Sequence, residues 1–143
     1  MLSTLGYAIS RRFHQVLEPL ELEPSEFALL RAVSASEGES QHALAERLRI
    51  SPSWMVAVVD ELERRDLLAR KPHERDRRVR NLHLTAAGKR LLKQAERKAQ
   101  QFDGQVTDLL TETELHQVLD LLDRIATGLG LEPGAHAALR ERG

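Results

Sequence analysis

The chain contains no cysteine and few aromatic residues. The absence of cysteine excludes disulfides, thiolate zinc sites and thiol-oxidation switches within these 143 residues. Aromatic side chains make up only 3% of the sequence, so leucine, valine, alanine and isoleucine must fill the core. A glycine-rich phosphate loop, a Gly-x-Ser-x-Gly motif and a His-Glu-x-x-His motif are also missing. We therefore expect a protein that is not an enzyme, and we predict no cofactor.

Long hydrophobic runs are missing as well. The first apolar stretch, from Leu2 to Ile9, is short and continues directly into Arg11 and Arg12. It is too short to span a membrane and does not have the pattern of a signal peptide. We expect one domain of 143 residues in the bacterial cytoplasm, with no membrane partner.

The formal net charge of −1 hides an uneven distribution. Residues 64–80 contain eight arginine or lysine residues and three acidic ones, a net charge of +5, so the rest of the chain carries −6. A basic segment on an acidic body is typical of a protein that meets a polyanion with one face. Composition alone is equally consistent with a solvated charged loop.

The middle of the chain predicts a helix-turn-helix. Pro24 suits the first turn of one helix, after a first amphipathic helix that ends near Leu20. Residues 34–39 are expected to form a loop, and Ser40 is a plausible N-cap for the next, short helix. Ser51 can cap a further helix with Pro52 at its first position. Two short helices joined by so short a turn form a helix-turn-helix.

A hairpin and two long helices are predicted to follow. Residues 67–71 and 79–84 are candidate strands, with Pro72 and charged residues at the tip between them. Thr85 can cap a long helix, Thr111 can open another as part of a capping box, and glycines 128 and 130 can end it. The first of these helices carries an apolar stripe whose members recur at steps of three and four: Leu91, Ala95, Ala99, Phe102, Val106 and Leu109.

The outer helices carry more apolar surface than a winged helix needs. A DNA-binding lobe of this kind is complete in residues 24–88, which leaves 1–20 and 89–130 as dimerisation helices. A second copy of the chain is the simplest partner for their apolar faces, although all helices packing within one monomer is the alternative. The predicted fold is mainly α with a small β-hairpin wing. The residues expected at the dimer interface are Leu2, Leu5, Leu115, Leu119 and Leu122.

The order of several motifs resembles the MarR (multiple antibiotic resistance regulator) family. The matching segments are 43–48, 50–53, 60–70, 76–78 and 84–88, which read ALAERL, ISPS, DELERRDLLAR, DRR and LTAAG. The resemblance implies a triangular homodimer with interleaved terminal helices and two winged lobes on a palindromic operator in double-stranded DNA. It also implies a sequence-specific transcriptional regulator, most commonly a repressor relieved by a ligand.

In this reading, the helix after Ser51 enters the major groove. The chain departs from the family at Val56 and Ala57, where relatives more often have a small polar residue and an arginine. Contact with a thymine methyl, or DNA shape, must then supply more of the specificity. Trp54 either packs against a base or sugar, or belongs to the core. The residues expected at the DNA are Ser51, Pro52, Ser53, Trp54 and Ala57.

The hairpin is expected to act as the wing. Arg78 is predicted to reach the minor groove, where a narrow A·T-rich duplex attracts arginine. Asp76 resembles the family aspartate that orients the wing through an ion pair. The remaining cations, expected to contact phosphates, are Arg70, Lys71, Arg75 and Arg77.

Three further hypotheses concern partners other than DNA. A small aromatic or anionic effector is expected between the dimerisation helices and the winged lobe. Alternatively, His116 and Asp120, four apart on one helix, together with His42 and His83, indicate a metal-responsive regulator of the same fold, although a solvated helix face explains them as well. A winged helix that binds only protein is the third alternative. The residues predicted to contact the effector are Tyr7, Arg11, His14 and Trp54.

Overall fold

A computed structural model describes residues 1–131 of the chain. The described part has the predicted order of a helix-turn-helix, a hairpin and long flanking helices, while residues 132–143 of the predicted domain lie outside it. The elements are α1 (Leu2–Leu17), a 3-10 turn (Glu18–Leu20), α2 (Pro24–Ala35), α3 (Gln41–Leu48), α4 (Pro52–Arg64), β1 (Leu68–Pro72), β2 (Arg80–Leu84), α5 (Ala86–Thr107) and α6 (Glu112–Gly128).

The helices begin where the sequence predicts, because each predicted capping side chain performs that role. The hydroxyl accepts a hydrogen bond from the backbone N–H three residues further on, a group that has no partner inside the helix. The caps are Ser40 for α3, Ser51 for α4, Thr85 for α5 and Thr111 for α6, with N···O distances of 3.1, 3.3, 2.9 and 3.3 Å.

The hairpin strands begin one residue later than predicted. The N–H of Leu67 still bonds to the carbonyl of Leu62 at the end of α4, and Val79 belongs to the turn that closes on Asp76. Pro72 is the last residue of β1, opposite Arg80, and not part of the tip. The loop before α3 is also shorter than expected, since α2 continues through residues 34 and 35.

The far edge of β2 is paired with the loop that precedes α3. Gly38 donates its N–H to the carbonyl of Leu82 at 2.9 Å, and Leu82 donates to Glu39 at 3.0 Å. The wing is therefore attached to the helix-turn-helix by backbone hydrogen bonds as well as by its buried leucines, Leu68, Leu82 and Leu84.

Three phenylalanines join the first helix to the winged lobe. The ring centroid of Phe13 on α1 lies 5.9 Å from that of Phe27 on α2 and 6.1 Å from that of Phe102 on α5. Aromatic pairs at this spacing add to the stabilisation from area burial. All three phenylalanines of this aromatic-poor chain meet at one junction.

The predicted apolar stripe of α5 is only partly buried within one protomer. Ala95 and Phe102 are buried, but Leu92 is buried in place of Leu91, which is only half-buried. Val106 is exposed, and Leu109 is exposed beyond the end of the helix. The first half of α5 packs on the lobe, whereas the second half continues past it.

The apolar face of α6 is uncovered in a single protomer, and none of its residues is buried. No helix in residues 1–131 is long and apolar enough to cross a membrane. Of the predicted dimer residues, Leu115 is half-buried, while Leu2, Leu5, Leu119 and Leu122 are 61%, 52%, 55% and 45% exposed.

A close backbone contact joins the hairpin to α5. Thr85 donates its N–H to the carbonyl of Leu67 at 3.2 Å, and its hydroxyl donates to the carbonyl of Asp66. A Cβ atom at Gly88 would lie 2.0 Å from the Leu67 oxygen, so only glycine fits there. This contact explains physically why the Leu-Thr-x-x-Gly motif ends in glycine.

We predict that Gly88→Ala destabilises the fold by roughly 3 kcal/mol or more, because the new methyl group would overlap a backbone carbonyl that cannot move alone. The free energy of unfolding in urea measures the effect. Gly104→Ala on the same helix is the control, since a Cβ there meets nothing within 4 Å in the protomer and should be neutral or stabilising. Equal stability of the two variants would contradict the role assigned to Gly88.

Candidate nucleic-acid interface

The first turns of α4 present a small, exposed surface. Pro52, Ser53, Val56 and Ala57 are exposed, whereas Met55 one step away is buried. The helix thus buries one stripe in the lobe and turns another outward. That outward stripe carries neither a cation nor a long hydrogen-bonding side chain in its first two turns.

Ser51 and Trp54 begin this helix together. The hydroxyl of Ser51 accepts the N–H of Trp54, and the indole is half-buried against the core. The part of the indole that packs on the core supports the helix, while contact of its exposed part with a base or sugar stays a prediction. Ser51 is occupied as a cap and lies 3.5 Å from the hydroxyl of Ser53.

Five cations of the hairpin are exposed and have no ion-pair partner within residues 1–131. Four of them lie at the predicted positions 71, 75, 77 and 78. The fifth, Arg80, was not among the predicted contacts, although it belongs to the same basic segment. We call these five residues the wing cations: Lys71, Arg75, Arg77, Arg78 and Arg80.

The other cations of residues 64–80 are neutralised by acidic partners. Arg64 donates two hydrogen bonds to Glu61, at 2.7 and 2.9 Å, and these bonds lower the pKa of the Glu61 carboxyl below its usual value. Arg65 lies 3.3 Å from Glu26 at the start of α2. The positive charge of the segment is therefore concentrated in the wing.

Arg70 is held by three side chains. Its guanidinium lies 2.6 Å from Asp60 and 3.2 Å from Glu63 on α4, and its Nε donates to Gln41 on α3 at 2.9 Å. Only 20% of its side chain is exposed. Arg70 thus links β1 to both helices of the helix-turn-helix, and its donors face protein acceptors instead of solvent.

Asp76 shapes the wing tip through the backbone and not through an ion pair. Its carboxylate accepts the N–H of Arg78 at 2.9 Å, and its carbonyl accepts the N–H of Val79 at 3.1 Å. Within the described chain it forms no ion pair, so the predicted mechanism of orientation is wrong. The aspartate closes an Asx-type turn that fixes the backbone beneath Arg78.

A cavity of about 550 Å³ opens between α3, α4 and the wing. We call it the inner cavity. Gln41 and His42 line it from α3, Val56 lines it from α4, and Arg78 and Arg80 line it from the hairpin. The exposed stripe of α4 and two of the wing cations, Arg78 and Arg80, thus border one concave surface.

Three of the four predicted effector residues lie on α1, and the fourth, Trp54, lies on α4. Tyr7 is 70% exposed on α1, Arg11 is exposed on the same helix, and the imidazole of His14 lies 3.4 Å from Glu23. No hydrogen bond, ion pair or ring contact within residues 1–131 joins any of them to Trp54. None of them lines the inner cavity.

The histidines considered for a metal site have other neighbours. Nδ1 of His116 lies 2.8 Å from the carbonyl oxygen of Glu112, and His42 lies 3.4 Å from Glu46. Across the 131 described residues, no group of three or more histidine, aspartate or glutamate side chains is placed to hold a metal ion.

Known proteins share this arrangement. A model of the MarR family matches residues 22–79. The HTH-type transcriptional repressor Rv2887 of Mycobacterium tuberculosis is 29% identical over 127 residues, which are 89% of this chain and 91% of the relative. The solved transcriptional repressor CouR, bound to a 23-mer DNA duplex, is 30% identical, with a TM-score of 0.78 over 87% of this chain and 89% of that one. CouR from Rhodococcus jostii RHA1, bound to p-coumaroyl-CoA, is 29% identical, with a TM-score of 0.71 over 87% and 88%.

A helix-turn-helix followed by a basic hairpin defines a winged-helix protein of the transcription-regulator class. The predicted mainly helical fold with a hairpin wing is confirmed. The chain belongs to the MarR family.

We predict that Asp76→Ala loosens the wing tip while Asp76→Asn does not, because the amide oxygen of asparagine still accepts the N–H of Arg78. Hydrogen exchange of the Arg78 amide, followed by NMR, measures the difference. If Asp76→Asn exchanged as fast as Asp76→Ala, charge and not the hydrogen bond would govern the turn.

Proposed function

We propose that the chain is a sequence-specific transcriptional repressor that binds a palindromic operator as a homodimer and has no catalytic role. The observation that carries the proposal is the set of five exposed wing cations without an ion-pair partner in residues 1–131, two of which, Arg78 and Arg80, share a cavity with the exposed stripe of α4. A duplex presents phosphates on either side of each groove, so a helix in the major groove and a cationic hairpin in the adjacent minor groove complement it. The protein would act in the bacterial cytoplasm at the nucleoid.

In this proposal α4 reads the major groove with small side chains. Val56 and Ala57 suit contact with thymine methyl groups, and Pro52 and Ser53 approach the sugar-phosphate backbone. Ser51 caps α4, and the partial positive charge at the N-terminus of this helix favours a nearby phosphate. Trp54 supports the helix from behind. Because so few base-edge hydrogen bonds are available, DNA shape must contribute to the choice of operator.

The wing supplies the minor-groove contact and most phosphate contacts. Arg78 stands on the turn fixed by Asp76 and is assigned to the minor groove, where arginine responds to groove width. Lys71, Arg75 and Arg77 are assigned to phosphates. Arg70 receives a different role from the one its sequence position indicated: with its donors engaged, it positions the wing against α3 and α4.

The second copy of the chain is the proposed occupant of the uncovered apolar faces of α1 and α6. These faces contain exposed leucines that a soluble monomer rarely gathers on one helix. A symmetric dimer buries the same patch on both subunits and presents two lobes, as a palindromic site requires.

An effector is proposed by extension from relatives. CouR has been solved with p-coumaroyl-CoA, and PcaV from Streptomyces coelicolor with its natural ligand. For this chain we propose a small aromatic or anionic compound held between the dimerisation helices and the lobe, with Tyr7, Arg11, His14 and Trp54 as candidates. Such a compound lowers DNA affinity only by its differential affinity for the two lobe spacings.

A gel shift with the DNA upstream of the chain's own gene tests the function. A dimer with five wing cations per protomer should lose about a thousandfold in affinity or more between about 50 and 200 mM salt. A protein that shifted no duplex even in dilute buffer would refute DNA binding and would leave the protein-binding alternative.

We predict that Arg78→Ala weakens operator binding by roughly 1–3 kcal/mol without unfolding the protein, because the side chain is exposed and only its backbone N–H is engaged. Fluorescence anisotropy with the bound duplex measures affinity, and circular dichroism checks the fold. Unchanged affinity would remove the wing tip from the mechanism.

Arg70→Ala is the matched comparison for Arg78→Ala. Because Arg70 is a positioning residue, the Arg70→Ala substitution should lower operator affinity. It should not change the slope of log K against log salt concentration, since no phosphate contact is lost. Loss of a phosphate contact would instead make this negative slope less steep by about 0.9 per site.

We predict that Leu119→Glu raises the dimer dissociation constant at least about a hundredfold, because the interface would bury an unpaired charge. Sedimentation velocity measures the change, and operator affinity should fall with it. Gln94→Glu, at an exposed position on the lobe half of α5, adds the same charge as a control. A Leu119→Glu protein that still sedimented as a dimer would exclude this face as the interface.

A further inference from the structure

The hairpin has two different faces, which its strand register defines. Lys71 pairs with Asn81 and Ala69 pairs with His83, so side chains 69, 71, 81 and 83 share one face. The opposite face carries the buried leucines, Arg70 and Arg80, and it borders the inner cavity. Only this opposite face is turned toward α3 and α4.

The first face of the hairpin borders a second cavity, of about 560 Å³, which we call the outer cavity. Its polar lining consists of Lys71, His73, Glu74, Arg75, Asn81 and His83. Lys71 and Arg75 are exposed and have no ion-pair partner in the described chain. Glu74 is the one acidic residue of the lining, so the permanent charge of the outer cavity is +1, and two imidazoles add hydrogen-bonding capacity.

The two histidines are held in place by the hairpin. Nδ1 of His73 accepts the N–H of Arg75 at 3.1 Å, so the neutral ring carries its proton on Nε2, which remains a donor. The half-buried ring of His83 lies beside Gly38, where a Cβ atom would be 3.5 Å from Cε1. Two positioned imidazoles and two exposed cations therefore surround the outer cavity.

A hairpin in a minor groove has one DNA strand on each side. The groove is only about 6 Å wide, so the phosphates of both strands lie close to an inserted hairpin. One strand separates the minor groove from the major groove that α4 occupies, and it must pass the inner cavity between α4 and the wing. The other strand, which we call the far strand, passes along the opposite face of the hairpin.

We propose that the outer cavity is a second phosphate-binding site, which holds the backbone of the far strand through Lys71, Arg75, His73, Asn81 and His83. This inference rests on the proposed function, because it requires the wing to enter a minor groove. It assigns the wing cations to two strands: Lys71 and Arg75 to the far strand, and Arg80 to the strand that passes the inner cavity. Asn81, His73 and His83 become DNA contacts that composition and charge did not indicate.

The test uses the full-length protein and a duplex that the wild-type protein enriches from a random pool. Single phosphates of that duplex are replaced by neutral methylphosphonates along both strands, and affinity is measured by anisotropy. The variants are Lys71→Gln for the outer cavity and Arg80→Gln for the inner cavity. Lys93→Gln, an exposed position on α5, controls for the loss of one positive charge.

For the wild type we expect losses of roughly tenfold at phosphates on both strands bordering the minor groove. Lys71→Gln should lose the sensitivity to replacement of at least one far-strand phosphate and keep the wild-type response on the other strand, and Arg80→Gln should show the reverse. The slope of log K against log salt concentration should become less steep by about 1.8 for each of these variants, because each loses one phosphate contact in both protomers of the dimer. The slope should not change for Lys93→Gln.

Sensitivity of Lys71→Gln that matched the wild type at every far-strand phosphate would overturn the outer site, while the Arg78→Ala result would leave the proposed function standing. Binding of no duplex by the wild type would overturn both. If Lys71→Gln melted at a lower temperature than the wild type, Arg75→Gln would replace it, since the exposed Arg75 side chain forms no hydrogen bond or ion pair within residues 1–131.

Discussion

The arrangement of the whole molecule depends on the contact between the carbonyl of Leu67 and the first turn of α5. That oxygen accepts the N–H of Thr85 and touches the bare Cα of Gly88. Helix α4 ends just before this point, the hairpin leaves from it and returns to it, and α5 starts there. The surface proposed for DNA and the helices proposed for dimerisation are therefore oriented from one backbone junction.

Charge pairing then decides which part of the protein is positive. Acidic residues on α2 and α4 neutralise Arg64, Arg65 and Arg70, while the wing cations have no such partners within the described residues. A net charge of −1 is thus compatible with a strongly cationic hairpin.

Local features were predictable from sequence because local chemistry determines them. A hydroxyl three residues before a free N–H, or a proline at the first helical position, acts within one turn, and the helices of the lobe begin accordingly. Arg70 and Asp76 were misassigned for a different reason. The partners of Arg70 lie 7, 10 and 29 residues away in the sequence, and the partner of Asp76 is a backbone group that no pattern of side chains shows. Leu91 and Leu92 are adjacent, so a helical period alone does not decide which one faces the lobe.

Pro72 lies at the end of β1 and helps to prevent strands of other chains from pairing with the open edge of this strand. In residues 1–131 the far edge of β2 is covered by residues 38–40, but β1 pairs only with β2 and leaves its other edge open. An open strand edge is a template for adding strands from other chains and for aggregation. Here the edge is five residues long, it carries Arg70 and Lys71, and it ends in a residue without an N–H. A chain that exposes so much apolar helix surface thus has an open strand edge whose length, charge and terminal proline disfavour the addition of strands from other chains.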